Sequence, residues 1–327
     1  MSWSSEENWI KRQIAFWCGD LYPLMLSGDY KSIKKLISQT QFGKHIREYL
    51  RHGDDCEQAV SKRYKTSWGS YRFRVNAQAL KEIQNPKKRD VVYPIFMVDI
   101  VGSDGGGLIT YNRPSYYRKF LLFPLEYHLR EDKKGFIDHY SWAQKEFRFV
   151  FRGSCSSPLF HQRTGCGSIK PSRFEIIKQI EHMRNVDAGL MKPWLYKNLK
   201  PDVKDKLYRL VKPPISTAQQ LKSKYVICIE GADIASSFGW VLASRSVPII
   251  TYPFNHEVWY FSDLRPWVHF IPMDPRGDRF DKIMSWCKAN DSLCRQIGEA
   301  GREYMLKMHY YLPRIKKGVS ELWNLKG

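Results

Sequence analysis

Three short clusters of small and polar residues stand where chemistry could be done: Ser103-Asp104, Arg152-Gly153-Ser154 and Glu230-Gly231-Ala232-Asp233. Each follows an apolar run of strand length, VYPIFMVDIV (92–101), FRFVF (147–151) and YVICIE (225–230). Open parallel sheets bind ligands at the carboxyl ends of their strands. The residue types suit a nucleoside diphosphate. The planar fork of Arg152 can pair with phosphate oxygens. Gly153, Ser154 and Gly231 let backbone N–H groups approach a ligand. A helix opening near Ser236-Ser237 would present a partly positive N-terminus. Glu230 and Asp233 can accept bonds from ribose or sugar hydroxyls. Plainer readings stand beside these. Glu230–Asp233 also fits a turn with a helix N-cap, and Asp104 fits an ordinary loop. Gly105-Gly106-Gly107 does not suit a phosphate loop, because the following LITY (108–111) reads as strand rather than helix.

The elements that must carry these clusters follow from periodicity. Ile10, Ile14 and Trp17 fall at helical spacing, as do Ile33, Leu36 and Ile37. FEIIKQIEHMR (174–184) is helical in period, and residues 200–218 read as a charged, Pro-punctuated connection. The clearest unit runs from YVICIE through a turn and helix at 231–245 to VPIITY (247–252), with helices near 279–289 and 291–308. A strand, helix and strand at that spacing imply a right-handed crossover in a parallel sheet.

Composition bounds the rest. The 327 residues suffice for two α/β domains. Lys+Arg 53 against Asp+Glu 33 leaves +20, which points to anionic partners without choosing among them. Short basic runs such as Lys87-Lys88-Arg89 form no nucleic-acid module. Seven cysteines at irregular spacing, with no C-x-x-C, read as reduced thiols of a cytoplasmic protein. Cys155, His161 and Cys166 match no zinc spacing. Neither an apolar leader nor a membrane span is expected.

Two segments carry a likeness to a known family. FRFVFRGSCSSP (147–158) resembles a strand followed by F-R-G-S-x-x-S-P. KYVICIEGADIASSFGWVLASRSVPIITYPFNHEVWYFSDLRPWVHFIPM (224–273) resembles I-E-G-x-D-x-A-S-x-x-x-W, then S-x-S-V-P, E-x-W and L-x-P-W-x-H-x-I-P. KANDSLCRQIGEAGREYM (288–305) adds K-A-N-D and E-x-G. In order and spacing these are similar to glycosyltransferase family 90, over about residues 90–305, in its bacterial glycan-modifying form.

The resemblance implies a GT-B fold, two Rossmann-like domains facing across a cleft. The expected domains are 1–143 on the acceptor side, with a C-terminal helix 303–327 packing back on it, and 144–302 for the nucleotide-sugar. It implies an inverting transfer from a UDP-sugar, without metal or other cofactor. The acceptor hydroxyl would belong to a lipopolysaccharide core or similar glycan or glycolipid, with an anionic membrane surface as a further partner of a cytoplasmic or peripheral enzyme and no specific nucleic acid. The catalytic base would be Asp104, with Asp99 as its rival, and the donor would lie against Arg152, Gly153, Ser154, Glu230, Gly231, Asp233, Ser236, Ser237 and Glu257. Gly239 stands where protein-modifying members carry a diphosphate-binding Arg, and Glu230 also replaces an Arg of those members. The competing readings are the same chemistry on a capsule, viral or protein-linked glycan, and a basic nucleic-acid-binding protein with an α/β core.

Overall fold

The computed structural model describes residues 3–29, 31–32, 109–110, 112–115, 121–122, 138–154, 173–191, 205, 207–231 and 234–324. In chain order its principal elements are α1 (Trp3–Cys18), α2 (Tyr22–Ser27), β1 (Ile109–Thr110), β2 (Asn112–Pro114), β3 (Leu121–Leu122), β4 (Glu146–Ser154), α3 (Arg173–Ile180), β5 (Val186–Met191), α4 (Thr217–Gln220), β6 (Ser223–Cys228), α5 (Phe238–Leu242), β7 (Val247–Thr251), β8 (His256–Val258), β9 (Ile271–Met273), α6 (Phe280–Ala289) and α7 (Asp291–Asn324). They divide between two compact units. One takes Met1–Glu126, Asn255–Ser262 and Tyr310–Gly327; the other takes Tyr127–Phe254 and Asp263–His309.

The second unit is built on a five-stranded sheet in the order β5-β4-β6-β7-β9. Every neighbouring pair is parallel. Relabelled by position in the chain this is 2-1-3-4-5, a doubly wound order whose direction of travel reverses between β4 and β6. Phe149, Phe151, Tyr225, Ile227 and Ile249 join one core cluster with Ile176, Ile177 and Ile180 of α3, Phe280 of α6 and Ile297 of α7. Phe149 stacks on Tyr225 with ring centroids 4.4 Å apart. Val226, Cys228 and Ile250, from alternate positions, are buried outside that cluster, as are Phe238, Val241 and Leu242 of α5. Burial of both faces explains why β6 and β7 read as unbroken apolar runs instead of alternating ones.

At the amino edge of the same sheet a buried cation ties three loops together. Lys145 Nζ donates to Asp138 at 2.9 Å, to Ser246 Oγ at 2.9 Å and to the Leu221 carbonyl. Burial draws its pKa down, with Asp138 acting against that.

In the first unit α1 presents Ile10, Ile14, Trp17 and Cys18 to the interior, the spacing read from the sequence. Trp17 donates through Nε1 to the Trp259 carbonyl at 2.8 Å. Strand β2 pairs antiparallel with β8, placing Arg113 opposite Glu257. Arg113, fully buried, donates to Glu257 at 3.0 Å and to the carbonyls of Phe16 and Trp17, so one guanidinium fixes the end of α1 to the β2–β8 pair.

Several elements differ from the sequence reading. Strand β5 was not anticipated, because VDAGLM carries Asp187 and Gly189 and shows neither alternation nor an apolar run. The turn and helix expected within 231–245, with the helix opening near Ser236-Ser237, give a short helix at Phe238–Leu242, since Ser236 and Ser237 are weak helix formers. The separate helices expected at 291–308 and 303–327 are one helix, α7, with Pro313 inside it. Buried Met305, Met308, Leu312, Ile315 and Val319 continue its apolar stripe past the proline. Division at 143/144 was expected; by compactness the described residues 138–143 group with the second unit and Asn255–Ser262 with the first. The strand at 92–101, the clusters Ser103-Asp104 and Gly105–Gly107, the helical pattern at 33–37 and the trio Cys155, His161 and Cys166 lie outside the described residues.

Candidate functional site at the carboxyl ends of β4 and β6

The reversal of strand order makes the carboxyl ends of β4 and β6 the place where this sheet would take a ligand. Two of the sequence clusters meet there: Arg152-Gly153-Ser154 closes β4, and Glu230-Gly231 follows β6. The ladder between these strands runs to Val150↔Val226, whereas β4 stays paired with β5 as far as Ser154↔Met191. The two strands therefore part before their ends.

Gly153 is required sterically. A Cβ there would come within 2.6 Å of the Phe151 ring, which folds along its own strand. Glu230 donates its backbone N–H to Thr251 Oγ1 at 3.3 Å, which ties the end of β6 to that of β7. Ser237 Oγ lies 3.4 Å from Cys228 Sγ, beneath the turn that opens α5. Burial pushes the Cys228 thiol up to about 12, so it is a neutral core group. Ser236 is exposed, one residue nearer solvent.

Arg152 is not turned toward this opening. Its Nη2 donates to Asp187 Oδ1 at 2.9 Å, Nη1 to the carbonyls of Phe151 and Asp187 at 2.8 Å, and Nε to the Pro213 carbonyl at 3.0 Å. Lys212 Nζ reaches the same Asp187 oxygen at 3.2 Å. Burial raises the Asp187 pKa, but the bonds from Arg152 and then Lys212 outweigh it and hold the carboxyl below its ordinary range. In the structure Arg152 braces the β4–β5 edge, and Asp187 of β5, the strand missed in the sequence, supplies two of its four acceptors.

Among the described residues, the cation at the opening is Arg173, the first residue of α3, which the sequence reading passed over. It donates from Nε and Nη2 to the Ile229 carbonyl at 3.0 and 2.7 Å, and from Nη1 to the Ser154 carbonyl at 3.2 Å and Ser154 Oγ at 3.4 Å. Nothing local marks it: it lies in PSRFE, beyond the strand-end motif, and only the crossover of α3 brings it back.

Of the remaining expected residues, Glu257 is in the first unit and engaged with Arg113. Asp104, Asp99 and Asp233 lie outside the described residues. Trp259 is core, Trp240 half-buried, and Trp267 exposed in the left-handed region at φ 63. His269 accepts the Arg265 N–H on Nδ1 at 3.0 Å, and burial lowers its pKa, which suits a neutral structural imidazole. Among the described residues no three His, Cys, Asp or Glu side chains gather as metal ligands, and no helix is long and apolar enough to cross a membrane.

Comparison with known proteins places this geometry. The family model described as glycosyl transferase family 90 matches residues 134–312. The chain is 29% identical over 179 residues to uncharacterized protein 035R of Invertebrate iridescent virus 3, covering 50% of this chain and 15% of that protein. It is 30% identical over 194 residues to uncharacterized protein 027R of Frog virus 3, covering 51% and 18%. With protein O-glucosyltransferase 1 of Bos taurus it shares 24% over 218 residues, covering 66% and 48%. The chain thus spans less than half of each of these relatives.

Proposed function

The chain belongs to glycosyl transferase family 90, and from that premise we propose that it is an inverting, metal-independent transferase moving a sugar from a UDP-sugar to an acceptor hydroxyl. The observation that carries this reading is the coincidence of the family match, 134–312, with a doubly wound sheet whose switch point is lined by Gly153, Ser154, Glu230 and Gly231. UDP would lie against those residues with Asp233, Ser236 and Ser237 beyond them, in the second of two GT-B-type domains.

In the reaction, the acceptor oxygen attacks the anomeric carbon as the bond to the UDP oxygen breaks. Asp104, with Asp99 its rival, takes the hydroxyl proton. The charge gained by UDP is met by backbone N–H groups and nearby cations. The metal-free reading rests on the sequence, which contains no D-x-D pair of the kind that holds a divalent ion in metal-dependent transferases.

For the acceptor, the bacterial-type motif favours a hydroxyl of a surface glycan, such as a lipopolysaccharide core. A net charge of +20 would hold a cytoplasmic enzyme against anionic headgroups or phosphorylated acceptors. A second reading, a protein hydroxyl, is supported by the relatives named protein O-glucosyltransferase.

The test is a panel of UDP-sugars scored by thermal melting and by UDP release, with and without chelator. One UDP-sugar should raise the midpoint by mass action, and the product should carry the inverted anomeric configuration. No response to any UDP-sugar would sink the reading. Loss of response in chelator would sink its metal-free part. Glycan and peptide acceptors in parallel assays separate the two acceptor readings.

A further inference from the structure

We propose that Arg173 is the positioning residue of the donor-nucleotide site, a clasp that sets the separation of Ser154 and Gly231 at the point where the sheet opens. The inference rests on the nucleotide-sugar reading above and names a residue that reading does not contain.

Two strands that part need something to fix how far. The β4–β6 ladder ends at Val150↔Val226, four residues short of Ser154 and three short of Ile229. Past that register β4 is held on the β5 side by its ladder and by the brace from Arg152 to Asp187. On the other side β6 is held to β7 as far as Cys228↔Ile250 and by the Glu230 bond to Thr251. Each strand end is thus tied to its outer neighbour. The guanidinium of Arg173 spans the gap between them, with two N–H groups on the Ile229 carbonyl and a third on Ser154.

The geometry demands a guanidinium. Its donors diverge in one plane, so one rigid group reaches carbonyls on two strands together, which a single ammonium cannot do with the same bonds. Arg173 is buried at 9% exposure, so its own contacts hold it and a bound ligand does not have to. Ile229 immediately precedes Glu230-Gly231, and Ser154 ends β4, so a shift of either carbonyl carries the proposed ligand-facing groups with it. A misplacement of about 1 Å at a reacting site can cost about a hundredfold in turnover.

The experiment compares wild type with Arg173→Lys and Arg173→Gln in the full chain, and adds Arg173→Ala for chemical rescue, each checked by circular dichroism and thermal melt. Each is titrated with UDP and assayed with the UDP-sugar that wild type prefers. Both variants should fold, with KM and the UDP dissociation constant raised about tenfold or more, the scale of one lost charge-assisted hydrogen bond. Added guanidinium should restore part of the loss in Arg173→Ala but not in wild type. Lys224→Met is the control: it breaks the Lys224–Asp291 pair at 2.6 Å on the amino edge of the sheet, so it should lower the midpoint and leave KM alone.

If wild type binds UDP and the Arg173 variants only melt earlier, with unchanged KM and no guanidinium rescue, the clasp is structural and this proposal is overturned while the donor reading stands. If wild type binds no UDP or UDP-sugar, both fall together.

Discussion

Arg152 and Arg173 both bring a guanidinium to the last residues of β4, and their partners separate their roles. Arg152 faces the edge strand and a carboxylate; Arg173 faces the inner gap and two carbonyls. Arg152→Ala should therefore act first on stability, by about 1.5–3 kcal/mol for bonds involving charged groups, read as a lower denaturation midpoint. Its partner gives a pH test. The folded pKa of Asp187 is depressed, so its carboxylate stabilises the fold above the ordinary aspartate range, and that stabilisation is lost as pH falls through the lower folded value. Asp187→Asn should be less stable near neutrality and should flatten that part of the acid limb; an unchanged limb would remove Asp187 from it. The base is tested by a paired comparison. Asp104→Asn should keep the fold and donor binding but lose about a hundredfold or more in turnover. If Asp99→Asn is the folded, inactive variant and Asp104→Asn stays active, the two exchange roles.

Among the elements, α7 shows how close packing reverses a propensity rule. Replacing a glycine inside a helix by alanine ordinarily stabilises it by about 1 kcal/mol. Gly298 and Gly301 lie one turn apart on α7, and a Cβ would meet the Arg245 carbonyl at 2.9 Å and the His269 carbonyl at 2.8 Å. Those are backbone atoms of the loops entering β7 and β9, which cannot swing aside as a side chain can. Gly298→Ala and Gly301→Ala should each destabilise by about 1–3 kcal/mol through overpacking, measured by urea denaturation. A gain in stability would mean that α7 stands further from the sheet than described. Gly153→Ala on β4 would instead meet the side chain of Phe151, a ring held in the core, and it should disturb UDP binding because it lies at the strand end.

At the scale of the molecule, charge and site should respond differently to salt. The +20 charge predicts retention on heparin or anionic vesicles that weakens steeply as counterions compete. Stabilisation by UDP, held in part by backbone groups, should outlast that salt concentration. If both fade together, the nucleotide effect is unspecific polyanion binding. The first unit offers a separate check. Trp17 is fully buried and donates to the Trp259 carbonyl, so Trp17→Ala should cost about 3–5 kcal/mol. The affected residues belong to the unit that also takes Asn255–Ser262 and Tyr310–Gly327.

The strands β4, β6 and β7 and the helices α1 and α6 were legible in the sequence, because burial on both faces or on one stripe writes a periodic apolar signal into the chain itself. The order and spacing of FRGSCSSP, IEGADIAS and LRPWVHFIP likewise identified the family from residues alone. Strand order did not show. β5 lacks a periodic signal, and its place beside β4 results from a crossover that no local pattern encodes. That placement turned Arg152 outward to Asp187 and left the gap that Arg173 spans. The assignment of 255–262 to the first unit depends on the pairing of β8 with β2, more than 140 residues away in the chain. A sequence lists which groups are available, but which donor meets which acceptor is fixed by long-range packing, which here set Arg152 on Asp187 and Arg173 on Ser154 and Ile229.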